Sequence, residues 1–405
     1  MSSTDDQPSN SKEGAGWRSA RVSRRVFVGT GAAAVAGLSF GMAAPAYAAT
    51  ANPGNSGKLS GEVPFGPVIV DNGGGAASDY PRAVRLSGLQ PGTSQTLLAT
   101  FPQSGFPIFR SDDDGRTWKK GSNVVGTGGG FWLQPHLYEL PRAFAGLPKG
   151  ALLCAGNEFV FGPPFSTNIR LYGSTDQGAT WQFLSTVAVG GEPVTGKTST
   201  QVFEPFLLLN RDRLICYYSD ERDPNYSQKL AHQTTTDLTN WGPVVNDAVG
   251  TDSSQRPGMT TVAQVHDSMW IMTHEAGGNT EDFYGVHYKM ARDPEAFGPA
   301  EDIVLHDQNG VVPVAAPVVT WSDSGGPMGT IVVTANSDQD FFLNSASGDP
   351  DKWTRMSSPM PGGYSRFTIP LASPGSWQRP GLVFVITGPY YDEQGPIQAG
   401  IIQLA

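Results

Sequence analysis

Cysteine is scarce in this 405-residue chain: Cys154 and Cys216 are the only two. No spacing of cysteine or of the six histidines suggests a metal site, and no cofactor or metal is expected. Charged residues make up 16% of the chain and lean acidic, 37 against 27 basic. That balance argues against nucleic acid and anionic membranes as partners. Long amphipathic helical patterns are missing. One apolar stretch exists, from Val26 to about Met42, but it is short for a membrane span and dominated by small residues.

That stretch belongs to a leader. Ser23-Arg24-Arg25-Val26-Phe27-Val28 matches the twin-arginine export pattern, and Ala46-Tyr47-Ala48 reads as an A-x-A cleavage site. Residues 1–48 are expected to be a signal peptide and 49–405 a single domain secreted already folded. The leader carries Lys12, Arg18, Arg21, Arg24 and Arg25 against Asp5, Asp6 and Glu13. Removing it leaves 22 basic and 34 acidic residues, a net charge of −12. Such a surface weakly disfavours a polyanionic substrate and suits neutral sugars better.

What the chain does have is a motif that returns. Ser111 to Trp118 reads S-x-D-x-G-x-T-W, and Ser174 to Trp181 reads the same 63 residues later. Looser versions follow at Thr235–Trp241, Ala291–Phe297 and Ser347–Trp353. A fixed period means one supersecondary unit copied several times. Asp and Gly tighten a turn, the hydroxyl closes a local bond, and the Trp enters the core. The motif resembles the Asp box of sialidase-like β-propellers, where it is structural and carries no catalysis.

The mature length divided by the period gives about six units. The expected fold is all-β: a six-bladed β-propeller of the sialidase superfamily with four-stranded antiparallel blades. Fifty glycines and 32 prolines supply the many turns. Five apolar segments hold the same place in successive repeats: 95–100, 150–155, 213–218, 269–273 and 329–334. They read as equivalent strands, the second of each blade. Cys154 and Cys216 sit on two of them; a disulfide is possible after export, but buried free thiols fit the blade separation better. With no exposed apolar strand edge or heptad, a monomer is expected.

A propeller binds ligands at one mouth of its central channel, so polar residues within apolar strands are the candidates. Glu204 lies in Gln201-Val202-Phe203-Glu204-Pro205-Phe206-Leu207, and a Glu is rarely buried without a partner or a purpose. Glu275 ends the strand Trp270-Ile271-Met272-Thr273-His274-Glu275 before a Gly pair. Tyr218, Asp220 and Glu221 form a charged cluster that lines a pocket or is simply solvated. Two carboxylates on separate blades suit glycoside hydrolysis, about 5–5.5 Å apart if configuration is retained. The acid must hold its proton near neutral pH, which apolar surroundings and a neighbouring carboxylate favour. Further candidates are Arg82, His136, Glu158, Arg256, Tyr364 and Arg366; Arg256 either positions a sugar hydroxyl or holds Glu204 ionised. Phe131 and Trp132 fit the core better than a sugar platform.

Phe203-Glu204-Pro205-Phe206-Leu207-Leu208, Tyr217-Tyr218-Ser219, Arg256-Pro257-Gly258-Met259 and His274-Glu275 together resemble glycoside hydrolase family 93. The resemblance implies a six-bladed propeller that cleaves arabinan from the chain end, releasing arabinobiose with retention. It places the nucleophile on Glu204 and the acid/base on Glu275, on neighbouring blades. Three rivals stand beside it. An exo-sialidase would need Arg82, Arg256 and Arg366 as a carboxylate clamp with Tyr364, but Tyr80-Pro81-Arg82-Ala83 is not the Arg-Ile-Pro typical of sialidases. A propeller acting on rhamnose-glucuronate ends would use His136 for proton transfer. A sugar-binding propeller would need no catalytic pair.

Overall fold

The computed structural model describes residues 65–404, apart from 74–78, 88–95, 127–129, 161–162, 193–198, 253, 278–283, 372–380 and 391–392. The expected leader lies outside them. Among the described residues, twenty-four strands form six four-stranded antiparallel blades. After β1 (Phe65–Asp71), the first blade is β2 (Arg82–Arg85), β3 (Leu97–Thr100), β4 (Phe106–Ser111) and β5 (Lys119–Val124). The second is β6 (Phe131–Glu139), β7 (Leu152–Val160), β8 (Ser166–Ser174) and β9 (Gln182–Gly190). The third is β10 (Val202–Asn210), β11 (Arg213–Asp220), β12 (Lys229–Thr235) and β13 (Val245–Ala248). The fourth is β14 (Arg256–Gln264), β15 (Trp270–Gly277), β16 (Gly285–Ala291) and β17 (Ile303–Val304). The fifth is β18 (Val318–Ser322), β19 (Thr330–Ala335), β20 (Asp338–Asn344) and β21 (Thr354–Met356). The sixth is β22 (Phe367–Leu371), β23 (Leu382–Thr387) and β24 (Ile397–Gln403), completed by β1 pairing with β24.

The first strands of successive blades pack side by side, and β22 returns to β2, so the ring closes. The second strands are buried on both faces; β19 and β23 are buried along their whole length. That is why they read as apolar runs rather than alternating ones. The five recurrent segments fall on β3, β7, β11, β15 and β19, as expected.

Apolar clusters fill the spaces between neighbouring blades. The repeated turn explains itself here. It joins the third strand of a blade to the fourth. In its first copy Ser111 Oγ donates to Asp113 Oδ1 (2.8 Å) and accepts Gly115 N–H (2.8 Å). Asp113 also takes the backbone N–H and hydroxyl of Thr117, and Trp118 Nε1 donates back to Gly115 O. Ser174 to Trp181 repeats the arrangement. Gly115 and Gly178 hold φ of 90° and 84°, which a Cβ would strain. The closing aromatic of each turn packs into the space toward the preceding blade: Trp118, Trp181, Trp241, Phe297 and Trp353. The sixth blade has no such turn because its fourth strand is β1, from the other end of the chain. Five motifs therefore serve six blades.

Cys154 and Cys216 are buried free thiols in different inter-blade clusters. Burial pushes both thiols above their usual range.

Candidate active site

The first strands share an irregularity that builds the site. In β10 the pairing to β11 runs Phe203↔Ser219, then Phe206↔Tyr217, so Glu204 and Pro205 bulge out of the ladder. The same step occurs at Gln134-Pro135 in β6 and at Met259-Thr260 in β14. Counting back two residues from the matching ladder pair gives Ala316 before β18, Ser365 before β22 and Tyr80 before β2. These six residues form a ring, one from each blade. Five of them hold positive φ: Gln134 55°, Glu204 63°, Met259 56°, Ala316 50° and Ser365 50°. A non-glycine residue in that region stores about 1–3 kcal/mol of strain. Four of the six precede a proline, at 81, 135, 205 and 317.

Side chains on the second strands hold this backbone in place. Asn157 Oδ1 accepts Glu204 N–H (3.0 Å) from the neighbouring blade. Its equivalent one blade on is Ser219, and the next is Glu275, since all three oppose the residue before a bulge. Ser219 Oγ donates to Glu204 Oε2 (2.6 Å), and Met259 N–H donates to the same oxygen (2.9 Å). Gln134 Nε2 approaches Oε1 at 3.4 Å. Glu275 Oε2 accepts Ala316 N–H (2.9 Å). Both glutamates are buried, 3% and 1% exposed, and each reaches a ring residue of the blade that follows its own.

Tyr80, Met259, Ala316 and Tyr364 pack together at the centre. Tyr364 OH donates to Met259 Sδ (2.9 Å) and its ring meets Tyr80 edge-on at 6.3 Å. Arg82 lies 3.9 Å over the Tyr80 ring and donates to Ser365 Oγ (2.9 Å). Burial pushes the Tyr80 hydroxyl above its usual range; Arg82 opposes this, and Glu204 and Glu275 add to it. Burial lowers Arg82, while Tyr80, Glu204 and Tyr364 pull it back up. The structure thus brings Arg82, Glu204, Glu275 and Tyr364 into one electrostatic neighbourhood around Tyr80.

Below the ring lies a layer of Arg82, His136, Phe206 and Phe367. The His136 ring lies 4.3 Å from Phe206, tilted 34° to it, and its Nδ1 accepts Leu207 N–H (3.0 Å). His136 is therefore part of the packing, with its acceptor nitrogen committed. Burial first, and then Arg82, hold its pKa well below 6.5. The unfolded chain protonates this histidine near pH 6.5 and the folded chain does not. Stability therefore falls as pH drops below 6.5, by up to about 1.4 kcal/mol per unit for one such group. Urea unfolding at pH 7 and pH 5.5 checks this. His136→Gln is expected to lose about 1 kcal/mol less than the wild type over that interval; equal losses would clear His136 of the effect.

The other candidates lie elsewhere. Tyr218 faces away from Ser219 on alternating β11; it is fully buried in the inter-blade core and donates to Gln233 Oε1 (2.8 Å). Burial pushes its hydroxyl above the usual range. Arg366 follows Ser365 and turns outward, donating to the carbonyls of Gln339, Pro361 and Asp340. Burial lowers it to about 10. Glu158 pairs with Arg170 (2.8 Å) and Asp220 with Arg222 (2.9 Å). Arg256 does not hold Glu204; it pairs with Glu221 and donates to Ser227 O and Gln228 Oε1. The cation in Glu204's field is Arg82 instead. The three arginines that an exo-sialidase would need as a carboxylate clamp have separate partners: Ser365 for Arg82, Glu221 for Arg256, and backbone carbonyls for Arg366. Trp132 is core, and the Phe131 side chain lies outside the described residues.

Sequence reasoning missed Tyr80, Gln134, Asn157, Ser219 as a carboxylate partner, and Met259. The signal that could have found the ring was the recurrent x-Pro step at the start of the inner strands.

Two buried carboxylates on adjacent blades, each bonded to a ring residue of the following blade, are the pair a propeller glycosidase needs. No protein-family model matches the chain, and no curated protein matches it. Solved structures do. The α-L-arabinofuranosidase of Fusarium graminearum, in complex with an iminosugar inhibitor, is 34% identical; the match covers 84% of this chain and 98% of that one, with a TM-score of 0.77. The Penicillium chrysogenum α-L-arabinanase complexed with arabinobiose is 33% identical over 84% and 99%, with a TM-score of 0.78. The NanB sialidase of Streptococcus pneumoniae, 9% identical over 84% and 70% with a TM-score of 0.56, shares the fold alone. The chain belongs to glycoside hydrolase family 93.

Proposed function

We propose that this protein is a secreted, retaining exo-1,5-α-L-arabinanase that releases arabinobiose from arabinan. The observation that carries the reading is the pair Glu204 and Glu275, both desolvated and each hydrogen-bonded to a ring residue of the following blade. Relatives bound to arabinobiose support the substrate class.

In this mechanism Glu204 attacks the anomeric carbon while Glu275 gives its proton to the departing glycosidic oxygen. Glu275 then removes a proton from water, which attacks the anomeric carbon and breaks the ester to Glu204. The two donors on Oε2 fix the nucleophile's orientation before substrate arrives. Tyr80, Arg82 and Tyr364 shape the side of the site that carries the Arg82 cation. The repeated turns serve as Asp boxes that hold the blades, without chemistry of their own. Export by the twin-arginine route with cleavage after Ala48, and action as a monomer, complete the proposal.

Debranched arabinan, sialyllactose and gum arabic, each incubated with the protein, provide the test. A pentose disaccharide by mass, formed first as the α-anomer by NMR, is the expected product. Sialic acid, a rhamnose-containing product or no product at all would refute the reading.

A further inference from the structure

We propose that His274, His287 and Asp302 form a binding site for one divalent transition-metal ion, with zinc the best match. The three residues lie in the fourth blade, on the face turned toward the third. His274 on β15 and His287 on β16 are direct cross-strand partners, so their side chains leave the sheet on one face. Asp302 comes from the segment entering β17. Its Oδ1 lies 2.9 Å from His274 Nε2 and 3.4 Å from His287 Nδ1. One ligand atom from each residue falls within 4.8 Å of the others. Tetrahedral zinc with bonds of about 2.0–2.2 Å asks for ligand atoms a little over 3 Å apart, so side-chain adjustment alone closes the site.

Two independent observations point to a ligand here. The ring nitrogens of His287 are buried; Nε2 makes no hydrogen bond and Nδ1 has Asp302 Oδ1 at 3.4 Å, which is costly for polar groups away from water. His274 has an oxygen near each ring nitrogen: Asp302 Oδ1 at Nε2 and Glu275 O at Nδ1, 3.4 Å away. A neutral imidazole donates to only one of them. With a metal on Nε2, the Nδ1 proton points to the Glu275 carbonyl, the arrangement that orients a ligating histidine. Two imidazoles and one carboxylate are borderline ligands suited to zinc. Asp302 is 42% exposed on its side chain, which leaves a route for the ion and room for a water as fourth ligand. The spacings of 13 and 15 residues match no sequence motif, so the site is invisible before folding.

The experiment uses the full chain without a polyhistidine tag, stripped with chelator and titrated with zinc chloride by calorimetry. One ion per chain is expected, with micromolar or tighter affinity and a rise of a few degrees in Tm. His287→Ala is expected to weaken binding at least about 100-fold. Asp302→Asn, at a partly exposed position, is the second variant and decides the matter if the first does not fold. Cobalt(II) should give the visible bands of a tetrahedral site in the wild type and lose them in both variants. No zinc binding, or binding that the variants retain unchanged, would overturn the proposal.

Discussion

Glu204→Gln is expected to lower kcat on arabinan by roughly 10⁴-fold or more, with arabinobiose affinity unchanged within about threefold. A loss of 10⁴ corresponds to about 5.4 kcal/mol of transition-state stabilisation. The amide keeps the shape of the carboxylate but cannot form the glycosyl ester. The fold should survive, because a glutamine already occupies the equivalent bulge one blade earlier: Gln134 sits at φ 55° where Glu204 sits at 63°. The glutamine's carbonyl oxygen can still accept Ser219 Oγ and Met259 N–H. Unchanged Tm and unchanged product binding would establish that chemistry alone has been lost. Turnover above about one part in a hundred would place the nucleophile elsewhere. Loss of affinity rather than turnover would favour a sugar-binding propeller.

Much of this arrangement is written locally. The turns beginning at Ser111 and Ser174 satisfy their own hydrogen bonds within eight residues, so their sequence survives as a legible repeat. The second strands are apolar because both faces are covered. Glu204 stands out because a carboxylate interrupts such a run. Other parts depend on register between blades, which no single segment encodes. Asn157, Ser219 and Glu275 are equivalent only once each β-bulge has been aligned. Strand alternation then decides which neighbours count: Ser219 faces Glu204, whereas Tyr218 beside it faces the core. Arg256 is the cation that the sequence offers either to position a sugar hydroxyl or to hold Glu204 ionised. Glu221 takes it instead, and Arg82 arrives from the first blade, 122 residues upstream of Glu204.

Glu275→Gln separates the second carboxylate's role from the first. On arabinan the leaving group is a sugar alkoxide, which departs slowly without a proton. Losing the acid there should cost about 10²–10⁴-fold in kcat/KM. A dinitrophenyl arabinobioside carries a leaving group that needs no proton, so its displacement from the anomeric carbon by Glu204 should slow by less than about tenfold. Deglycosylation still needs the base, so phenolate should appear as a burst followed by a slow steady state. The variant's amide oxygen can keep the contact with Ala316 N–H that Glu275 makes, so the ring should stay intact. Equal losses on both substrates would show that Glu275 acts only by holding that backbone. The same outcome would leave the acid to be sought among the other groups around Tyr80. A selective loss assigns proton transfer to Glu275 and fixes the order of events: the first blade's Arg82 and Tyr80 set the field, the third blade supplies the nucleophile, and the fourth moves the proton.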